Sequence, residues 1–136
     1  EAGSKAVRSG IPLSVTIIIG LGGLELSHHH ATATASILNL IIPDYVGALT
    51  LMLVKGTELF RSHKEGTFRL LSPGETLQEL YWFIESMECT TIFRSNHASN
   101  YLPLGGNLPE EKDQLLATIQ HAMKRGSYKS EYLRGL

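Results

Sequence analysis

Three short stretches hold the glycines and polar side chains that could do chemistry. In "VTIIIGLGGLELSHHHATATA", Val15 to Ala35, an apolar β-branched run meets Gly20, Gly22 and Gly23, and His28, His29 and His30 follow. "KGTELF" comes next, and "FRSNHASN" brings together Arg94, Ser95, Asn96, His97 and Asn100. A dinucleotide turn needs G-x-G-x-x-G, so that backbone approaches a pyrophosphate and the helix packs closely, but Glu25 stands where the third glycine belongs. A lysine-bearing phosphate loop is absent as well, because no Gly-Lys-Ser/Thr follows the glycines. The glycines then either let a ligand lie against bare backbone or simply permit a tight turn.

Three consecutive histidines make a poor metal site on a helix. Successive side chains point about 100° apart, whereas paired ligands sit at i and i+4. The plain reading is a polar first turn, with His30, one residue before the packed Ala31, the one that faces the sheet edge. In "FRSNHASN" an arginine could hold a carboxylate and a histidine could move protons. Serine and asparagine are equally at home as turn residues that bond their own backbone. Cys89, among apolar neighbours, reads as a buried, inert thiol. Glu85 and Glu88 read as a solvated helix face, and Lys124 with Arg125 as the favourable last turn of a helix.

The elements that must position these groups follow from periodicity. "EAGSKAVRSG" has the look of a helix entered partway and stopped by Gly10, so the chain is expected to be a fragment. Leu13 to Ile19 is a continuous apolar run, expected as a strand buried on both faces, and such strands are usually parallel. Ser27 is expected to cap a helix to about Ile41, with Ala31, Ala35, Leu38 and Ile42 on one face. Pro43 and Asp44 close it. Val46 to Val54 is the second strand, and "RSHKEGTFRLL" an irregular link. Ser72, Pro73 and Glu75 then spell a capping box, and Leu77, Leu80, Tyr81, Ile84 and Met87 form its helix's apolar stripe. Thr90 to Phe93 is a short third strand. Asn107 is expected to cap a last helix with Leu115, Leu116, Ile119 and Met123 inward and Gly126 as its stop.

Helix, strand, helix, strand, helix, strand, helix means crossover units around a parallel sheet, an α/β fold in one domain spanning 1–136. Parallel strands share one C-terminal edge, where ligands bind in barrels and open α/β sheets. All three conspicuous loops fall on that edge. The chain is 43% hydrophobic and 18% charged, with 12 basic against 13 acidic residues. That near balance offers no global basic field for nucleic acid or an anionic membrane. The longest apolar stretch is broken by Pro43 and Asp44, so no membrane span is expected, and no secretory signal is visible. One cysteine permits no internal disulfide and makes the cytoplasm the expected compartment. It also cannot hold an iron-sulfur cluster or a zinc site by itself.

The succession "GIPLSVTIIIGLGG", "YVGALTLMLVKGTELF", "SPGETLQELYWFIESME" and "TTIFRSNHASNYLPLGGNLPEEKDQLLATIQHAM" resembles the C-terminal half of radical S-adenosylmethionine proteins, closest to the elongator-like, methylthiotransferase-like and coproporphyrinogen oxidase-like branch. The likeness runs from about Gly10 to the end of the chain. It implies the C-terminal portion of a (β/α) partial TIM-type barrel whose parent is an oxidoreductase. There a three-cysteine loop holds a 4Fe-4S cluster that cleaves S-adenosylmethionine to a 5'-deoxyadenosyl radical. The family's loose G-x-I-x-G-x-x-E strand falls on "TIIIGLGG", with Ile18 and Gly20 matching, Thr16 in place of the first glycine and Gly23 in place of the glutamate. "GTELF" matches the exit of the next strand at Gly56, Thr57 and Leu59.

By this resemblance Ile18, Gly20, Gly22 and Gly23 lie near the adenosyl moiety, and His30, Arg94, Asn96 and His97 are polar groups of the substrate cavity. The chain itself holds no cluster and is expected to be catalytically silent alone. Its implied partner is the missing N-terminal half of the barrel, or a second copy joined through the exposed sheet edge. The alternative from the residues alone is a stand-alone α/β nucleotide-binding or oligomerisation module.

Overall fold

The computed structural model describes residues 1–135. A short helix, α1 (Ala2–Arg8), leads through Gly10, with φ of +72°, into strand β1 (Ser14–Ile19). Helix α2 (Gly23–Ile41) returns the chain to β2 (Tyr45–Thr50). A two-turn helix α3 (Glu58–Lys64) and the longer α4 (Pro73–Ser86) precede β3 (Thr91–Arg94). Strand β4 (Gly105–Leu108), helix α5 (Lys112–Arg125) and a single 3-10 turn (Glu131–Leu133) complete the described chain.

The sheet order is β1-β2-β3-β4. β1 pairs parallel with β2 from Ser14 opposite Tyr45 to Ile19 opposite Thr50, and β2 pairs parallel with β3 from Tyr45 opposite Ile92 to Gly47 opposite Arg94. β4 runs antiparallel, with Thr91 opposite Leu108 and Arg94 opposite Gly105. The expected α/β fold is therefore present, with one strand reversed. β1 and β2 end level, Ile19 opposite Thr50, and β3 ends three residues short of them, Arg94 opposite Gly47; because the three run parallel, the loops that follow them leave the same edge.

Among the described residues only one face of this sheet is covered. Ile17, Ile19, Val46, Ala48 and Phe93 point into a core completed by Ala31, Ala35 and Leu38 of α2, Leu77, Leu80, Phe83 and Ile84 of α4, and Leu115 and Ile119 of α5. On the other face Thr16 and Ile18 are exposed, and Gly47, Leu49 and Ile92 are half-buried. This corrects the expectation that Leu13 to Ile19 is buried on both sides: Ile18 keeps 38% of its surface because no helix crosses that face. The apolar run is continuous, yet the pleat still sends alternate residues to opposite sides.

Local signals explain most boundaries. The capping box forms as the sequence specifies: Ser72 Oγ accepts from the Glu75 N–H at 3.3 Å, and Glu75 Oε2 accepts from the Ser72 N–H at 2.8 Å. Gly126 ends α5 with φ of +63°. Four boundaries differ from expectation. α2 begins at Gly23 rather than Ser27, because the Leu24 N–H finds a distant acceptor in Arg69 O at 3.1 Å. Ile42 is not part of its buried face but leaves the helix in the left-handed region, φ 56°, immediately before Pro43, which disfavours a right-handed helical residue ahead of it. β2 stops at Thr50, since its neighbours run out of pairing residues there. Asn107 lies in β4 and α5 is capped at Glu111, whose Oε2 accepts from the Asn107 N–H at 2.6 Å.

A one-faced core makes opposite demands on Phe83 and Ile18. Phe83→Ala should cost about 3–5 kcal/mol in urea unfolding, as for a fully buried aromatic. Ile18→Thr should change stability by no more than about 0.5 kcal/mol. Comparable losses at both positions would mean the open face is covered.

Candidate functional site

Three polar clusters fix the loops at the C-terminal edge of the parallel strands. The first is centred on Glu79 of α4, a side chain with no solvent exposure. Its Oε1 accepts from the Gly20 N–H at 2.8 Å and from His30 Nδ1 at 2.9 Å, and its Oε2 accepts from Ser27 Oγ at 2.5 Å. One carboxylate thus joins the end of β1, the first turns of α2 and the middle of α4. Such a group is tolerable in a core only with its acceptor sites filled. His30, with a quarter of its side chain exposed, is the only one of the three histidines with a hydrogen bond from its ring. His28 stacks edge-on against Trp82, with ring centroids 4.9 Å apart.

The glycines before α2 follow from this packing. A Cβ on Gly22 would come within 2.9 Å of His30 Cβ, and one on Gly23 within 3.0 Å of the Phe68 ring and 3.3 Å of Arg69 O. Gly20 and Gly23 also take positive φ of 89° and 63°. Of the two readings left open by the sequence, the tight turn accounts for Gly22 and Gly23 by the chain's own contacts.

The second cluster ties β2 to the "RSNHASN" loop. Asn100 Nδ2 donates to Ala48 O at 2.8 Å and to Ser95 O at 2.9 Å, while its Oδ1 accepts from Thr50 Oγ1 at 2.9 Å. Ser99 Oγ accepts from the Thr50 N–H at 3.2 Å. His97 Nδ1 lies 2.9 Å from Ser99 Oγ and accepts from the Ser99 N–H at 3.1 Å. Asn96 is exposed. Arg94 donates from Nη1 to Phe93 O at 2.8 Å and lies over Gly105, where a Cβ would be 3.0 Å from its Cδ.

The third cluster brings in the end of the chain. Arg134, whose side chain is 1% exposed, donates from Nε to Ser99 O at 2.6 Å and from Nη2 to Leu51 O at 3.1 Å. Its guanidinium lies 4.1 Å over the Tyr101 ring and meets the Tyr101 hydroxyl and the Glu131 carboxylate. Burial, and then the hydrogen bond to Glu131, push the Tyr101 hydroxyl up to about 12. Burial works against Glu131 too, but hydrogen bonds from Tyr101 and Arg134 and the charge of Arg134 win, holding its carboxyl below the ordinary range.

Of the residues singled out in the sequence, Ile18 and His97 come together. They line a depression of about 170 Å³ on the open sheet face, with Leu49, Thr50, Leu51, Met52 and Ser99. Gly20 lies at the strand end beside it, while His30 belongs to the Glu79 cluster on the helical side of the sheet and Arg94 lies toward β4. Glu79 was missed, although Thr76, Leu80, Phe83 and Met87 recur around it at helical spacing and put it on the buried face. Arg134 had no local signal. Among the described residues no group of three His, Cys, Asp or Glu side chains is placed to hold a metal ion, and no helix is long and apolar enough to cross a membrane. Cys89 is buried, its Sγ 3.6 Å from Leu38 O, and burial raises its thiol above the ordinary value. Comparisons with family models, with curated proteins and with solved structures found no match to this chain.

Replacing Glu79 by the isosteric Gln turns an acceptor into a donor facing Ser27 or His30. Glu79→Gln should lower stability by about 1.5–3 kcal/mol, the range for a hydrogen bond to a charged group, and speed hydrogen exchange at the Gly20 amide. Exchange at Gly20 as slow as in the parent chain would show that Glu79 does not hold the turn. A second expectation concerns alkaline pH. Because the folded state holds the Tyr101 proton more tightly, its contribution is fully present below the ordinary value of 10.0 and is lost as pH rises toward about 12. Unfolding measured across that window should show a fall in stability that Tyr101→Phe abolishes.

Proposed function

We propose that this chain is the C-terminal part of a radical S-adenosylmethionine barrel, contributing late strands, adenosyl contacts and one wall of the substrate cavity. The observation that carries the reading is the winding of the sheet. β1, β2 and β3 are parallel neighbours in sequence order, and α2 and α4 both cover the same face. Right-handed crossovers that always step in one direction give that arrangement, which is how a barrel is built; a doubly wound sheet reverses direction and covers both faces. The uncovered face, with Ile18, Leu49 and His97, then corresponds to a barrel interior. β1, rich in β-branched residues and unpaired on its outer side, corresponds to the seam with the preceding strand.

The cluster does not fit this chain. It needs three thiolates, and Cys89 is one buried thiol facing Leu38 O. No step through a cluster is therefore assigned to these residues. S-adenosylmethionine, when bound in the complete barrel, supplies the 5'-deoxyadenosyl group. Toward it this chain offers Ile18 as an apolar contact at the strand end. Gly20, Gly22 and Gly23 shape the turn beside it, His97 lines the cavity, and Arg94 and Asn96 are further polar groups of the same sheet edge, with His30 behind the turn.

The residues encoded before Glu1 test the reading. A three-cysteine loop is expected upstream, in the first half of the barrel, and a protein spanning both parts, reconstituted anaerobically with iron, sulfide and a reductant, should release 5'-deoxyadenosine from S-adenosylmethionine. The isolated chain should release none. Absence of the cysteine loop would overturn the assignment. The second reading, a self-sufficient α/β binding module, predicts instead that calorimetry detects tight nucleotide binding by the 136 residues alone.

A further inference from the structure

The hydrogen bonds around His97 define which ring nitrogen carries the proton. The Ser99 N–H can only donate, and it points at Nδ1 from 3.1 Å, so Nδ1 must present its lone pair. The Ser99 hydroxyl is compatible with this: its oxygen accepts from the Thr50 N–H, and its own proton can be shared with the same Nδ1 at 2.9 Å. The ring proton of the neutral imidazole therefore sits on Nε2. Among the described residues Nε2 has no hydrogen-bond partner, and the ring borders the depression lined by Ile18, Leu49, Leu51 and Met52. Ser99 is itself buried, with its hydroxyl engaged on both sides, so the Ser99 and His97 pair is a holding device rather than a nucleophile and its base.

His30 makes the contrast plain. Its Nδ1 faces the Glu79 carboxylate, an acceptor, and so carries a proton, and in the neutral ring Nε2 is then the lone-pair nitrogen. Two histidines of the same edge are thus set to opposite tautomers by opposite partners. Of the two, only His97 lines the depression on the open face.

We propose that His97 is a fixed hydrogen-bond donor, through Nε2–H, for an sp² oxygen of an otherwise apolar organic ligand seated over Ile18, Leu49 and Met52. The ligand class follows from the lining: apolar side chains on the strand ends with one oriented donor beside them. A carbonyl and a carboxylate share the chemistry that this donor recognises. The role rests on reading the open face as the ligand side, but the tautomer does not. The two therefore fail separately.

Long-range ¹H–¹⁵N spectra of the full chain with labelled histidine report the tautomer directly. His97 is expected in the Nε2–H form, with that form less populated in Ser99→Ala. Hexanoate and hexanamide serve as carboxylate and carbonyl probes, with hexylammonium as the apolar chain lacking an acceptor. Either oxygen probe should shift His97 Nε2 and the Ile18 and Leu49 methyl signals, and which of them does so identifies the source of the oxygen. His97→Phe should weaken that binding about two- to tenfold, the worth of one hydrogen bond. His97→Gln, which retains an N–H donor, should restore part of it. An Nδ1–H form of His97, or hexylammonium shifting these signals as strongly as the oxygen probes, would overturn the proposal. So would equal binding by His97→Phe. Loss of the barrel assignment through absent upstream cysteines would leave the tautomer result standing.

Discussion

A carboxylate with no access to water constrains everything around it. Glu79 is held by three donors from two stretches of chain, the Gly20 amide at the end of β1 and the Ser27 hydroxyl and His30 ring on α2. Losing any one of them would leave part of a buried carboxyl group without a partner, so the end of β1, α2 and α4 must arrive together. The end of β1 is thereby fixed against α2 and α4 before any ligand is considered. The glycines follow from the same requirement: the turn passes so close to His30 and Phe68 that a side chain on Gly22 or Gly23 would collide. What looks in the sequence like a ligand-cradling loop is first a loop shaped by a buried acid.

The two edges of the sheet are unlike, and the difference has physical content. β4 is four residues long, begins with two glycines and lies antiparallel beneath the start of α5. Short, glycine-rich edges resist further pairing. β1 offers six residues, "SVTIII", with an unpaired backbone along its outer side. A long edge rich in β-branched residues invites another strand. Nearby on α2, Ile37 and Leu40 stay exposed, Leu40 keeping 79% of its surface, and Ile42 joins them just beyond the helix.

How far the sequence could be read depended on how local each cause was. The capping box at Ser72 and the stop at Gly126 are specified by residues within one turn of the boundary, and both form as expected. β4 was not foreseen because "GGNL" has little strand tendency of its own; its pairing with Thr91 to Arg94 supplies what the side chains lack. α3, seven residues capped by Thr57, carries no buried side chain and so no periodic signal. Ser27 was expected as a helix cap and instead spends its hydroxyl on Glu79, a residue 52 positions away. The Arg134 cluster is equally non-local, joining the end of the described chain to Leu51 and Ser99. The edge that carries the candidate site was legible; the contacts that shape it were not.

Those non-local contacts also sort the polar residues of the edge by what is left to them. Asn100, Ser95 and Ser99 have their side chains committed to backbone or to neighbours, and they bind the loop to β2 and to itself. His30 faces the helices, and its proton-bearing nitrogen is taken by Glu79. Arg94 lies along its own sheet over Gly105, bonded to the preceding carbonyl. His97 differs from these in lining the depression on the open face, and the bonds that fix it use Nδ1 and leave Nε2 unengaged. Rigid placement with a free polar atom is the condition for recognising a ligand without reorganisation. The open face of the sheet gives that atom an apolar surface to work beside, and the buried clusters behind it keep both from moving.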